Sequence, residues 1–88
     1  MYNYEIIPSL QKTLNKLSKK DKKTYEAIMN KIEEILQNPQ HYKPLKYDLA
    51  GERRVHIVKN FVLKFEVNES MKVIRFIFFG HHDEAFRR

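Results

Sequence analysis

Cysteine is absent from this chain of 88 residues, and several classes of site are excluded with it. Without thiols the chain can form no disulfide, thiolate nucleophile, zinc–thiolate site or iron–sulfur cluster. Only two glycines are present, at positions 51 and 80, so neither a G-x-x-x-x-G-K loop nor a G-x-G-x-x-G turn can be written. The sequence therefore excludes cysteine chemistry and the common glycine-rich loops that hold nucleotide phosphates.

Long apolar runs are also missing. The longest uninterrupted one is Phe76–Phe79, which is far too short to span a membrane. The first ten residues include Glu5 and no apolar core of a signal peptide. Lysine and arginine outnumber the acidic residues by 17 to 11, a net charge of +6. We expect one soluble, cytoplasmic domain spanning residues 1–88, with a polyanionic partner and no membrane contact.

The first half of the chain has the pattern of one strand followed by two helices. Alternate residues before Pro8 are apolar, as in a half-buried strand: Tyr2, Tyr4 and Ile6. An apolar stripe at helical spacing predicts the first helix: Leu10, Leu14 and Leu17. A wider apolar face predicts a second helix that ends at Asn38-Pro39: Tyr25, Ile28, Met29, Ile32, Ile35 and Leu36. The spacing of Ser18 and Asp21 predicts a capping box at its start.

Three strand-like runs fill the second half, after a bridging segment from Pro39 to Glu52. Apolar residues alternate in Arg53–Val58 and in Phe61–Val67, whereas Lys72–Phe79 is almost continuously apolar, as in a central strand. The separators between the runs are short enough for hairpins. We therefore predict an α+β fold of order β-α-α-β-β-β, an antiparallel sheet with the N-terminal helical hairpin packed on one face.

Basic and titratable residues fall on the sheet face that the predicted helices leave uncovered. On the strand 53–58, Arg54 and His56 point away from the core, and Lys64 does the same on the next strand. The three can share a cationic patch that contains an imidazole. The alternative is a solvated or structural role, which is the commoner one for a lone strand histidine.

The C-terminal segment after Gly80 holds a second group of polar and aromatic residues. His82 and Asp83 alone make a weak metal site, because no H-E-x-x-H motif or thiol accompanies them. A solvated tail is a second reading. A nucleic-acid site would use histidine as acid or base, Arg87 on phosphate and Phe86 as a stacking platform, and it accounts for most of these residues.

Five short motifs follow one another in a fixed order: Lys43-Pro44-Leu45, Gly51, Arg53-Arg54-Val55-His56-Ile57, Phe61-Val62-Leu63-Lys64-Phe65, and Gly80-His81-His82 with Phe86. With the element order, they resemble toxins of the RelE/ParE superfamily over essentially the whole chain. One branch of that superfamily cuts mRNA in the ribosomal decoding site, and the ParE branch inhibits DNA gyrase. The histidine-using YafQ-like toxins of the first branch are the most similar group.

The resemblance implies specific roles for individual residues. His82 and His56 match the two catalytic histidines of YafQ-like toxins, and Arg54 matches a catalytic lysine of RelE. RNA-binding roles are expected for a larger basic and aromatic set: Lys43, Arg53, Lys64, Phe86 and Arg87. Lys43 replaces a histidine of YafQ-like toxins, and Asn60 replaces an aspartate. Phe86 stands where RelE has a tyrosine, so it offers no hydroxyl.

The resemblance also implies a reaction and partners. We expect a metal-independent endoribonuclease without cofactor, in which the RNA 2′-hydroxyl attacks the scissile phosphate. The expected partners are the ribosome, mRNA and an acidic RelB-like antitoxin that wraps the toxin in a heterotetramer. The alternatives are a ParE-like toxin that inhibits gyrase by protein–protein binding, and a degenerate member that only binds RNA or its antitoxin.

Overall fold

The computed structural model describes residues 2–42 and 51–85. Its elements are β1 (Asn3–Ile6), α1 (Pro8–Lys20), α2 (Lys22–Gln37), a 3-10 turn (Pro39–His41), β2 (Glu52–Val58), β3 (Phe61–Asn68), β4 (Val73–His81) and α3 (His82–Ala85). The predicted order β-α-α-β-β-β is confirmed, and the short helix α3 follows it. Among the described residues, none of the helices has the length and apolar character needed to cross a membrane.

The four strands form one sheet in the order β1-β4-β3-β2. The meander β2-β3-β4 is antiparallel, as predicted, and the almost continuously apolar run is a central strand. The expectation of a wholly antiparallel sheet is wrong at one edge, where β1 pairs parallel with β4. Parallel pairing needs a long crossover, and the helical hairpin and two strands that separate β1 from β4 supply it.

The core lies between one face of the sheet and the helical hairpin. The predicted stripes of α1 and α2 meet alternate residues of β3 and β4, and the buried cluster they form is Leu10, Leu14, Ile28, Ile32, Ile35, Leu36, Leu63, Phe65, Ile74 and Phe76. We call the other face of the sheet, which carries Arg54, His56 and Lys64, the open face. Polar side chains are therefore free to collect there without displacing the core.

Asp21 joins the two helices and caps the second one. Its carboxylate accepts hydrogen bonds from the backbone N–H of Thr24 at 3.2 Å and from the Thr24 hydroxyl at 2.7 Å. The Thr24 hydrogen bonds hold the pKa of Asp21 below its usual value. The predicted capping box is wrong in detail, because Ser18 still lies in α1 and donates to the Asn15 carbonyl.

Glu69, in the β3–β4 turn, ties that turn to two distant parts of the chain. Its carboxylate accepts from the Tyr2 hydroxyl at 2.6 Å and from the side-chain amide of Gln40. The Lys72 ammonium lies 3.4 Å away. The hydrogen bond from Tyr2 is the main cause that lowers the pKa of Glu69. This carboxylate therefore holds the end of β1 and the 3-10 turn against the sheet.

A bulge in β4 changes which side chains face the core. Lys64 pairs with Phe78 and Phe65 pairs with Phe76, so Ile77 is an extra residue on β4. A bulge of this kind shifts the alternation of side chains by one position. Phe76 consequently lies in the core, whereas Phe78 lies opposite Lys64 on the open face. Regular alternation from Phe76 would have placed both on the same face.

Candidate active site

Pairing of β2 with β3 brings the predicted basic residues together on the open face. Arg54 lies directly opposite Lys64, and His56 lies opposite Val62. Directly opposite residues of an antiparallel pair share a face and have close Cβ atoms. The register continues into β4, where Phe78 pairs with Lys64 and Gly80 pairs with Val62. Two rows of side chains therefore cross the sheet beside one another.

His82 reaches the same place from the end of β4. Its backbone N–H donates to the Asn60 carbonyl at 2.6 Å, which ties the start of α3 to the β2–β3 turn. Its ring stacks on that of His56, with centroids 5.8 Å apart and planes inclined by 14°. Two histidines that the sequence placed in separate motifs thus meet face to face.

Arg54 fixes the tautomer of His82. Its Nη1 lies 3.0 Å from Nε2 of the His82 ring. A guanidinium has donors and no acceptor, so Nε2 must accept this bond with its lone pair and the ring proton must lie on Nδ1. An Asp83 carboxylate oxygen lies 3.8 Å from that Nδ1. In this geometry the lone pair of Nε2 points at the guanidinium, and it becomes available to a proton only when Arg54 moves away.

Lys64 forms an ion pair within the site. Its ammonium lies 2.8 Å from a Glu52 carboxylate oxygen, and the two side chains are only 12% and 21% exposed. Farther along the open face, Arg75 lies between two carboxylates, 3.7 Å from Glu5 and 3.8 Å from Glu66. The sequence predicted an RNA-binding role for Lys64 and gave no sign of the carboxylate beside it.

The floor of the site is apolar. Val62 lies on the open face opposite His56, yet it is fully buried, so neighbouring side chains on that face must cover it. The ring of Phe78 extends forward along β4 over Gly80: a Cβ atom added to Gly80 would lie 2.6 Å from the Phe78 Cζ. The sequence did not identify Phe78 as a residue of the open face. The only sign was the unbroken apolar run Phe76–Phe79, in which some residues must point away from the core.

Two further residues of the predicted motifs, Arg53 and His81, lie away from the stacked histidines. Arg53 is on the opposite side of β2 from Arg54 and donates to the Pro39 carbonyl at 2.7 Å, so the structure does not bring it to the site. His81 also faces away from His82, with its ring against Phe61 at 5.8 Å. The other three predicted RNA-binding residues lie outside the described part of the chain: Lys43, Phe86 and Arg87. Within residues 2–42 and 51–85 no three His, Asp or Glu side chains are grouped to hold a metal ion.

The comparisons of the sequence with known proteins agree on one group of toxins. Residues 4–86 match the family model described as the ParE toxin of type II toxin-antitoxin system, parDE. A Methanocaldococcus jannaschii protein that bears the name toxin RelE4 is 53% identical over 88 residues, which is 100% of this chain and 94% of that protein.

Solved structures share the fold at low identity. The YoeB/ParE toxin from Agrobacterium tumefaciens has a TM-score of 0.79 and 20% identity, covering 91% of this chain and 98% of that one. A chain of the toxin-antitoxin complex RelBE2 from Mycobacterium tuberculosis has a TM-score of 0.74 and 17% identity, covering 91% and 96%. At this identity the likeness concerns the fold alone.

Proposed function

The chain belongs to the ParE toxin family, within the RelE/ParE superfamily of type II toxin–antitoxin toxins, and on that basis we propose that it inhibits translation by cutting mRNA on the ribosome. The observation that carries the proposal is the stacked pair His56 and His82 with Arg54 bonded to His82. A toxin that only binds gyrase needs no paired imidazoles beside a guanidinium. An RNA-cleaving toxin needs a base, an acid and a cation for the phosphate.

Each of these groups has a part in the reaction. His82 Nε2 takes the proton of the ribose 2′-hydroxyl, whose oxygen attacks the adjacent phosphorus. The bond to the 5′-oxygen breaks, leaving a 2′,3′-cyclic phosphate, and His56 in its protonated form donates a proton to the 5′-oxygen. Arg54 leaves His82 as substrate binds and donates to the phosphoryl oxygens, where negative charge grows in the transition state.

The ribosome holds the RNA in the geometry for cleavage, which this open site cannot do alone. The His82 side chain is 39% exposed and His56 lies at the surface, so nothing on the described face encloses a flexible RNA strand. In-line attack requires the 2′-oxygen to be aligned with the leaving 5′-oxygen, and a binding surface must hold the RNA in that geometry. We therefore expect slow cleavage of free RNA, fast cleavage of ribosome-bound mRNA, and no loss of activity with a chelator that leaves ribosomes intact.

An acidic antitoxin is the proposed protein partner. The net charge of +6 favours a polyanionic protein, and a chain of the same fold occurs in the RelBE2 toxin-antitoxin complex. A partly disordered antitoxin that wraps this domain and occludes the open face would silence it, and pairs of each chain would give a heterotetramer. Co-purification at physiological salt with the product of the neighbouring small reading frame tests this partner.

Primer extension on mRNA after induction tests the cleavage. The wild-type chain should produce discrete cuts at codon boundaries, and His82→Gln should lower the cleavage rate by about 10²–10⁴, the range for loss of one proton-transfer group. His81→Gln is the matched control, because His81 is the adjacent histidine on the other face. DNA damage without RNA cuts would favour the gyrase-directed alternative that the family name ParE suggests.

A further inference from the structure

Phe78 is an aromatic residue on the face of the sheet that carries the polar groups. It pairs with Lys64, which in turn lies opposite Arg54, so the three form one row across β4, β3 and β2. Phe78 is half-buried and is not among the apolar residues packed against the core. Its ring therefore reaches solvent beside two cationic side chains.

Gly80 determines where this ring lies. The three outermost ring carbons of Phe78 are within 2.6–3.3 Å of the position that a Gly80 Cβ would occupy. The ring thus leans along β4 toward His82, into space that any side chain at position 80 would fill. His82 follows Gly80 by two positions and is the first residue after the end of β4. The ring consequently extends into the row that holds His56, whose own ring stacks on that of His82.

We propose that Phe78 is a base-stacking platform for single-stranded RNA, seating the base of a nucleotide that flanks the scissile phosphate. This rests on the proposed function, since it takes His82 and Arg54 as the place where the phosphate binds. Aromatic rings beside a cationic track are the usual means of holding unpaired bases, and stacking tolerates any base. The ring would fix the position of the nucleotide, and the guanidinium would fix its phosphate.

Phe78→Leu is the test, with Phe61→Leu as its matched control. Leucine keeps an apolar side chain on the open face but has no ring to stack. Phe61 is also a partly exposed phenylalanine, 38% exposed, yet it lies on the helix side of the sheet. The probe is a short single-stranded RNA with one 2-aminopurine, whose fluorescence falls when the base stacks. Thermal unfolding of both variants checks that the fold is kept.

Phe78→Leu should weaken binding of this RNA by about 5- to 150-fold, the factor that corresponds to one lost stack of about 1–3 kcal/mol, and should abolish the quenching. On ribosome-bound mRNA it should lower kcat/KM by a similar factor, while Phe61→Leu changes neither quantity. Absence of quenching with the wild-type chain, or equal behaviour of the two variants, would overturn the proposal. Loss of antitoxin binding with RNA binding intact would overturn it too and assign Phe78 to the protein interface.

The two proposals can fail separately. If the wild-type chain cuts mRNA and Phe78→Leu cuts and binds equally well, only the stacking platform is wrong. If no cleavage occurs but Phe78→Leu selectively loses quenching and affinity, the stacking platform remains and the nuclease proposal is wrong.

Discussion

Replacing Gly80 by alanine should have opposite effects on stability in two backgrounds. In the wild-type chain the new Cβ would lie 2.6 Å from Phe78 Cζ, whereas ordinary contacts begin at 3.4 Å, so the ring must move by about 0.8 Å. Overpacking of this kind costs about 1–3 kcal/mol where the neighbour cannot yield. Gly80 has no positive φ, so its backbone suits alanine, which by itself adds about 0.4–1 kcal/mol of stability.

Phe78→Leu removes all three ring carbons that crowd the new methyl group. In that background Gly80→Ala should therefore be neutral or stabilising, whereas in the wild-type chain it should destabilise. Urea unfolding of the four proteins gives a double-mutant cycle, and residues in contact show coupling of about 0.5–3 kcal/mol. The free energy of unfolding measures this without reference to any activity.

Two results would refute the reasoning. Additive effects of the two substitutions would mean that the Phe78 ring does not lie over Gly80. Destabilisation by Gly80→Ala in both backgrounds would mean that the backbone at position 80 rejects a side chain for another reason.

Three further predictions concern the carboxylates. Asp21→Ala should lower the free energy of unfolding more than Asp21→Asn, because asparagine can still accept from Thr24, and equal losses in a urea titration would contradict the cap. The pKa values of Asp21 and Glu69 are lowered from 3.8 and 4.5, so both groups stabilise the fold above those values and lose this contribution as the pH falls through the lowered ones. The variant Glu69→Gln should accordingly show a flatter acid limb of unfolding, and an unchanged limb would contradict this. Glu52→Gln should remove the counter-charge of Lys64, tighten RNA binding and steepen the salt dependence by about 0.7 in log K per log salt; weaker binding would show that the carboxylate positions the lysine.

Much of the fold follows from periodicity in the sequence. The stripes of α1 and α2 identified the helix side of the core because helical spacing places those residues on one face. Alternation in β2 placed Arg54 and His56 together, since residues two apart point the same way. The meander followed from two short separators. The parallel pairing of β1 had no such signal, because no tight turn fixes the direction of a strand whose partner lies far along the chain.

The contacts of the site were harder to foresee. Sequence patterns identified His56 and His82 singly, but their stacking depends on the register of three strands and on the bulge at Ile77. Lys64 forms an ion pair with Glu52, which lies two residues before Arg54. This pair depends on the register between β2 and β3, which the sequence does not determine. The position of Phe78 could not be predicted either, because an unbroken apolar run does not indicate which of its residues point away from the core.

The bulge at Ile77 also makes β4 tolerant of a change in length. The strand has a core half, which contains Ile74 and Phe76, and a site half, which contains Phe78 and Gly80, and one surplus residue separates them. Loss of that residue would leave a regular strand in which Phe76 still faces the helices and Phe78 still lies on the open face. A deletion, which in a strand ordinarily inverts every side chain beyond it, would here be absorbed at one point. The register of Phe78 and Gly80 against β3 therefore does not depend on the presence of the surplus residue.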